Sequence, residues 1–363
     1  MKNTFGNNIS LTIFGESHGK SVGCVIDGLP AGIPVDRDAI NKLLDLRRPS
    51  GAISTSRREA DNFEIHSGVF NGHTTGTPIC IIIPNNDTRS ADYENISRLA
   101  RPSHADYTAH VKYRGYEDPR GGGHFSGRIT AALVAAGGII LPALNKKGIK
   151  IGTHISSCAG VKDRGFDDID KDIQTLSDLE FAVLDNEKAI EMQSAIIKAK
   201  ENCDSVGGIL ETAIFGLEAG VGEPWFDTLE GMLSHALFAI PAIKGVEFGA
   251  GFGFADMTGS TANDRFYTEG GKVYTSTNNS GGINGGISNG MPIVLRCAVR
   301  PTPTISIEQD TIDYVNLENS KLAAKGRHDP CIVHRARIVV DCVCALVIAD
   351  ALSGKHGTDW LAL

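Results

Sequence analysis

Apolar and polar positions in this chain fall into two kinds of run, one alternating every second residue and one recurring at three- and four-residue steps. The alternating runs, bounded by Gly, Pro, Asn or Asp, predict strands at 10–14, 21–26, 62–70, 78–84, 150–156, 207–217, 244–252 and 292–299. The longer period predicts helices at 38–45, 127–145, 186–200, 225–238 and 336–353. Many of the strand candidates are amphipathic rather than apolar throughout, which favours an α+β design over a doubly wound parallel sheet. The 127–145 segment, containing AALVAAGGIILPAL, is apolar almost all round, so its expected place is inside the core. No solenoid-period repeat and no low-complexity tract interrupts the pattern.

At 363 residues, with no linker-like stretch, the chain is expected to form a single domain over 1–363; two intimately packed halves are the alternative. A hydrophobic fraction of 41% and a charged fraction of 21% are ordinary for a globular chain and speak against disorder. The 42 glycines exceed the usual share of about 7% and cluster, which marks places of tight turning or close ligand approach. A formal net charge of -8 argues against nonspecific nucleic-acid binding, since counterion release needs a positive surface. The eight cysteines form no C-x-x-C pair and several lie in apolar runs such as PICIIIP, as reduced buried thiols do. The N-terminal segment lacks a signal-peptide core, and no stretch reaches the roughly eighteen uninterrupted apolar residues of a membrane helix. A cytoplasmic protein without membrane contact is expected.

Candidate chemistry concentrates in a few segments. Gly15 and Gly19 bracket Glu16, Ser17 and His18 after an apolar strand, so His18 is either a general acid presented on a tight loop or a histidine capping backbone. Arg47, Arg48, Arg57 and Arg58 flank the loop PSGAISTS and either clamp a multiply charged anion or are solvated surface groups. The stretch RPSHADYTAHVKYRGYEDPRGGGHFSGRIT places His104, Asp106, His110, Arg114, Arg120, His124 and Arg128 around a triple glycine. There, backbone N–H groups and a helix N-terminus can receive a phosphate, and His104 with Asp106 can form an oriented acid; a plain glycine turn beside a core helix is the alternative. SGGINGGISNG at 280–290 lacks the strand–turn–helix setting of a dinucleotide fingerprint and reads as backbone close to a flat ring, or as a hairpin. RPTPT at 300–304 offers hydroxyls to a phosphate, or is a simple turn. Near the C-terminus, His328, Cys331 and His334 lack a fourth ligand for zinc, whereas Arg327 and Arg335 read as anion ligands at a helix start. Asp350, in an apolar run, is either a desolvated base or an exposed carboxylate near the helix end.

Seven segments, FGESHG, RRPSG, RPSHADYTAHVKY, RGGGHFSGR, IPAIKGVEFGAGF, GGINGGIS and KGRHDPC, together resemble the chorismate synthase family in order and spacing from residue 5 to residue 352. The resemblance implies a βαβ sandwich, with two antiparallel sheets packed between helices, assembled as a homotetramer with reduced FMN (FMNH2) as cofactor. It implies a carbon–oxygen lyase acting on phosphates, which converts 5-enolpyruvylshikimate-3-phosphate to chorismate by anti 1,4-elimination, the last step of the shikimate pathway. In that family the flavin undergoes no net redox change; it is thought to lend electron density to the breaking C–O bond and to assist loss of the C6 proton. Carried over by position, His18 protonates the leaving phosphate, His104 protonates or stabilises the flavin, and Ser17 with Asp350 relays the C6 proton. Arg48, Arg101, Arg128 and Arg335 match substrate-binding arginines, and Arg47 matches a position associated with NADP. For FMN the matching positions are His124, Phe125, Ser126, Pro241, Ala242, Gly285, Arg300, Pro301, Thr302, Pro303, Thr304 and Arg327. The chain departs from the family where H-F-S-G-R-I-T replaces R-S-S-A-R-E-T, which removes one fixed positive charge near the flavin. RPTPT stands where K-P-T-S-S is commoner, and arginine keeps the charge there. Ile53 stands where an arginine linked to NADP often sits, which speaks against NADPH binding and implies FMNH2 supplied by a separate flavin reductase. Two rivals from other classes are an FMN-dependent oxidoreductase, which should lack the arginine-rich loop, and a non-catalytic phosphoanion- or RNA-binding protein, which should be basic.

Overall fold

Eight α-helices follow one another among the described residues: α1 (Arg37–Arg47), α2 (Asp106–Tyr113), α3 (Thr130–Lys146), α4 (Ile169–Leu176), α5 (Asn186–Glu201), α6 (Leu229–Leu237), α7 (Gly259–Ala262) and α8 (Val333–His356). The computed structural model describes residues 2–49, 51–55, 60–86, 98–323 and 329–363; Arg57, Arg58, Arg327 and His328 lie outside them. Helix starts follow side-chain capping. Asp36, Asp168 and Asp185 each accept backbone N–H groups of the first turn of α1, α4 and α5, and α1 ends on Arg47, where a cation suits the helix dipole.

Two five-stranded antiparallel sheets enclose the long apolar helices. The first sheet runs in the order Thr4–Phe5, Ser10–Gly15, Ser21–Asp27, Ile79–Pro84, Glu64–Ile65, with Leu11 opposite Ile26 and Val25 opposite Cys80. The second runs Val161–Lys162, Lys150–Cys158, Gly208–Phe215, Ile293–Val299, Ile243–Phe248, with Thr212 opposite both Thr153 and Leu295. α3 packs on the first sheet, α8 on the second, and α1 joins both helices, so these three form the middle of an α+β sandwich. The second sheet is covered on its other face too: a Cβ at Gly152 would stand 3.0 Å from Ile173 of α4, while the next residue, Thr153, donates its hydroxyl to Asp341 of α8 at 2.6 Å. Burial pushes the Asp341 carboxyl up to about 6, against the opposing pull of Arg337 and Thr153. Gly127–Lys146 is long and apolar enough to cross a membrane, but 83% of its apolar window is buried in the molecule, as befits a core helix.

The predicted elements are observed with four adjustments that have local causes. The strand expected over 62–70 is two short strands, Glu64–Ile65 and Val69–Phe70, because Gly68 turns at φ +78° where a Cβ would strike Ile79. The strand expected to 252 stops at Phe248, since Gly249 and Gly251 both take φ +55°. The helix expected from 225 begins at Leu229, capped by the Thr228 hydroxyl. α2, α4, α7 and the hairpins 266–275 and 309–322 were absent from the periodic signal, all of them short elements. Of the cysteines, six are buried, Cys80 is half-buried and Cys203 is exposed, so the expectation of buried thiols holds for most of them.

Glycines let the central helices approach: a Cβ on Gly137 would stand 2.3 Å from the Cβ of Cys342 in α8, and one on Gly138 would stand 2.8 Å from Ile40 in α1. Gly137→Ala gains about 1 kcal/mol of helix propensity but must push α8 away, so a net loss of about 1–3 kcal/mol is expected in urea unfolding.

Candidate active site: the arginine cleft and its glycine wall

The strand Ser10–Gly15 ends where Gly15 turns at φ +100° against the carbonyl of Ser21, a contact no side chain would allow. The following residues dock on the triple-glycine loop, with the Ser17 N–H donating to the Gly123 carbonyl at 3.0 Å. Gly121, Gly122 and Gly123 all have positive φ, and their missing side chains make room for the histidines. A Cβ at Gly121 would stand 2.5 Å from His18 and 3.0 Å from the Ser17 hydroxyl; one at Gly122 would stand 3.2 Å from His104. Ser17 and His18 are buried beneath this wall at 3% and 7% exposure. The Ser17 Oγ has no hydrogen-bond partner among the described residues.

His104 is oriented from behind. Its Nδ1 lies 2.8 Å from Asp106 Oδ1, and Arg101 donates from Nε and Nη2 to the same carboxylate at 2.8 and 2.7 Å. Burial raises the Asp106 pKa, but the hydrogen bonds from Arg101 and His104 outweigh it and hold the carboxyl well below the usual range. An ionised Asp106 fixes the Nδ1–H form of His104 and turns Nε2 towards Gly122. His124 donates from Nδ1 to the Gly15 carbonyl at 2.8 Å, a second tie between the two loops.

A cleft of about 290 Å³ opens on one side of this wall, lined by Arg47, Arg48, Arg128, Arg300 and Arg335 together with His104, Gly121, Phe125, Ser126, Pro241, Ala242, Thr302, Pro303, Thr304 and Asp329. Each arginine comes from an element end: Arg47 closes α1, Arg48 caps it, Arg128 precedes α3, Arg300 follows the Ile293–Val299 strand and Arg335 stands in the first turn of α8. Asp61, 2% exposed, receives Arg47 Nη2 at 2.5 Å and Arg128 Nη1, with Arg48 Nε 3.7 Å away. Burial raises the Asp61 pKa, and Arg47 and Arg128 pull it below the ordinary value. Arg335 donates to Asp329 Oδ2 at 2.5 Å and to the Arg47 carbonyl at 2.8 Å; Arg128 donates to Asn85 Oδ1 at 2.9 Å. Among the described residues the five lining arginines thus meet one carboxylate in the wall, Asp329, one behind it, Asp61, and Asp45, which pairs with Arg48. A second cleft, of about 330 Å³, lies beyond His104 and Phe125, walled by Glu16, Asp118, His124, Tyr113, Tyr116 and Tyr314.

Most of the expected residues converge, but not all. Thirteen line the arginine cleft: Arg47, Arg48, His104, Phe125, Ser126, Arg128, Pro241, Ala242, Arg300, Thr302, Pro303, Thr304 and Arg335. Ser17 and His18 line neither cleft but lie against Gly121, which lines the arginine cleft. His124 lines the other cleft, Arg101 is spent on Asp106, and Pro301 lies between lining residues without joining them. Gly285 lines neither cleft; it sits in the hairpin Ile283–Ser288, whose Gly286 closes on Thr228. The reading of Asp350 as exposed is corrected, and the desolvated carboxylate stands away from both clefts. It is 3% exposed, and its carboxylate accepts the backbone N–H groups of Asn7, Asn8 and Ile9 at 2.9, 2.6 and 2.9 Å, so it is neither exposed nor in the cleft. Ile9 stands six residues before Gly15, roughly 20 Å along a strand, too far for Asp350 to share a proton with Ser17 within one chain. Sequence reasoning missed Asp61, and read the carboxylate of Asp329 only as part of a turn.

An α+β sandwich that gathers five guanidinium groups beside a wall holding two histidines is the framework of an enzyme acting on a phosphorylated or carboxylated anion. The family model described as chorismate synthase matches residues 9–353. A chorismate synthase of Korarchaeum cryptofilum is 45% identical over 348 residues, covering 95% of this chain and 96% of that protein. One of Dehalococcoides mccartyi is 46% identical over 352 residues, covering 96% of each. A crystal structure of a chorismate synthase superposes with a TM-score of 0.75 at 31% identity, covering 97% of this chain and 94% of that one. The chain belongs to the chorismate synthase family and is a lyase.

Removing Asp61 takes from the buried guanidinium groups of Arg47 and Arg128 the carboxylate they share, so Asp61→Ala is expected to cost about 3–5 kcal/mol in urea unfolding. Folding lowers the Asp61 pKa, so its contribution is present above the unfolded value near pH 4 and is lost as pH falls through the lower folded value. The stability gap between wild type and Asp61→Ala should therefore be constant at neutral pH and close in acid.

Proposed function

We propose that the protein eliminates phosphate from 5-enolpyruvylshikimate-3-phosphate to give chorismate, with reduced FMN bound beside the substrate. The observation that carries this reading is the convergence of five arginines on one cleft whose glycine wall covers Ser17 and His18. The substrate carries a phosphate and carboxylates, and Arg47, Arg48, Arg128 and Arg335 offer fork-shaped donors from three directions. Desolvation in the cleft strengthens each of these contacts as charge moves onto the departing phosphate.

The residues present fit a flavin. Thr302 Oγ1 is buried without a hydrogen-bond partner among the described residues, beside Arg300, Pro303 and Thr304, a set suited to a phosphate-bearing chain. Pro241, Ala242 and Phe125 supply apolar wall for a ring system. When bound, reduced FMN would supply electron density to the breaking C–O bond. His18, buried below Gly121, holds the proton for the leaving phosphate oxygen. His104, with Nδ1 fixed by Asp106, presents Nε2 as a donor or acceptor at the boundary between substrate and cofactor. The atoms balance without net oxidation: the C3–O electron pair leaves with the phosphate, C6 gives up a proton that passes to solvent, and the ring's C1=C2 double bond is replaced by double bonds at C2=C3 and C1=C6. A homotetramer in the cytoplasm completes the reading; Trp225, Phe226 and Phe252, each more than 85% exposed, are side chains that subunit contact would cover.

Anaerobic incubation with the substrate and chemically reduced FMN should release phosphate and chorismate in equal amounts, and none with oxidised FMN. Tight FMN binding without product would favour a flavin oxidoreductase instead. His18→Ala should lower kcat about 10²–10⁴-fold while the protein still binds substrate, whereas a mere anion binder would show no turnover to lose. NADPH should leave bound FMN oxidised unless a flavin reductase is added; direct bleaching of the flavin by NADPH alone would refute a monofunctional enzyme.

A further inference from the structure

The segment 51–55 carries Thr55 to the rim of the arginine cleft. Ser54 Oγ lies 2.8 Å from Nε2 of His334, and the Thr55 N–H donates to Asp329 Oδ1 at 2.9 Å. Lys200 donates from Nζ to the carbonyl of Ala52 at 2.7 Å. Ser54 and His334 are 2% and 3% exposed, and neither lines a cleft. The bond crosses 280 residues of sequence and joins the loop to the first turn of α8, one residue before Arg335. Arg335 in turn holds Asp329, the carboxylate that receives Thr55. A buried hydroxyl and imidazole are costly to keep apart from water unless they meet each other, so this pair resists separation and transmits that resistance to both segments.

We propose that His334 is a positioning residue for anion binding: its bond to Ser54 fixes the 51–55 loop so that Thr55 and the Asp329–Arg335 pair keep the geometry the phosphorylated substrate meets. This rests on the elimination proposed above. Without the bond, Thr55 slips from Asp329, and Asp329 no longer holds the Arg335 guanidinium in one direction. Because Arg335 serves substrate and transition state alike, the loss falls on KM and spares kcat.

The test compares His334→Ala, Ser54→Ala, their double variant and His334→Gln, whose amide can occupy the place of Nε2. Each alanine variant should raise KM for 5-enolpyruvylshikimate-3-phosphate about five- to tenfold with kcat within about twofold, and the double variant should be no worse than either single one. His334→Gln should restore most of the affinity. Hydrogen exchange, read without substrate, should show the Thr55 amide exchanging faster in the alanine variants and protected in His334→Gln. Unchanged KM with unchanged Thr55 protection would overturn the proposal. So would a fall in kcat that follows melting temperature and is not rescued by glutamine. If the wild type yields no chorismate, the reaction assignment fails by itself, and inorganic phosphate titration decides this point: weaker binding in His334→Ala than in His334→Gln sustains it, and equal binding overturns it.

Discussion

Five guanidinium groups turned towards one cleft repel one another, and the protein must hold them there before any anion arrives. At an effective dielectric of about 20, two unit charges 4 Å apart interact by about 4 kcal/mol, so the arrangement is untenable without counter-charge. Asp61 supplies it at the back, bonded to Arg47 and Arg128 with no exposed side-chain surface of its own, and Asp329 supplies it at the front through Arg335. Asp45 adds a third through Arg48, so among the described residues three carboxylates stand against five arginines and an excess of positive charge is left to attract an anion. The same carboxylates preorganise the donors, so substrate meets guanidinium groups already aimed rather than groups it must order.

Backbone close to side chain is the second constraint. His18 and His104 lie against consecutive glycines, and the distances at which a Cβ would strike them show that no other residue could stand at Gly121 without displacing the imidazole of His18. The loop is therefore a thin partition: arginine cleft on one side, a more acidic and aromatic cleft on the other, histidines within reach through the gap. Thinness costs conformational entropy, which the ties from Ser17 to Gly123 and from His124 to Gly15 offset by fixing the loop to the strand end.

What the sequence revealed and what it hid follow from range. The long helices were legible because α3 and α8 bury apolar residues all round, and the central strands because alternation reports a half-covered sheet. The arginines and histidines were legible as unusual local density, and motif order named the family. Asp61 was not, since one aspartate between Ala60 and Asn62 carries no pattern; its role exists only once α1 and the start of α3 meet. Asp350 misled for the converse reason: a carboxylate in an apolar run looks desolvated and reactive, whereas backbone N–H groups from the other end of the chain were waiting for it. Gly285, grouped with the flavin contacts by resemblance, serves a hairpin within this chain.

Asp350 then acquires a different meaning from its distance. Fifteen residues of helix separate it from Arg335, about 22 Å, and six residues of strand separate Ile9, which it grips, from Gly15, about 20 Å. Helix and strand therefore start from one joint and arrive together at the cleft, the helix delivering Arg335 and the strand delivering Ser17 and His18. A shift of α8 along its axis would carry Arg335 past the glycine wall, and the joint at Asp350 opposes that shift by three hydrogen bonds to a carboxylate, the stronger kind. The spacing between Arg335 and the loop of Ser17 and His18 is thus set at the far end of the molecule, away from both clefts.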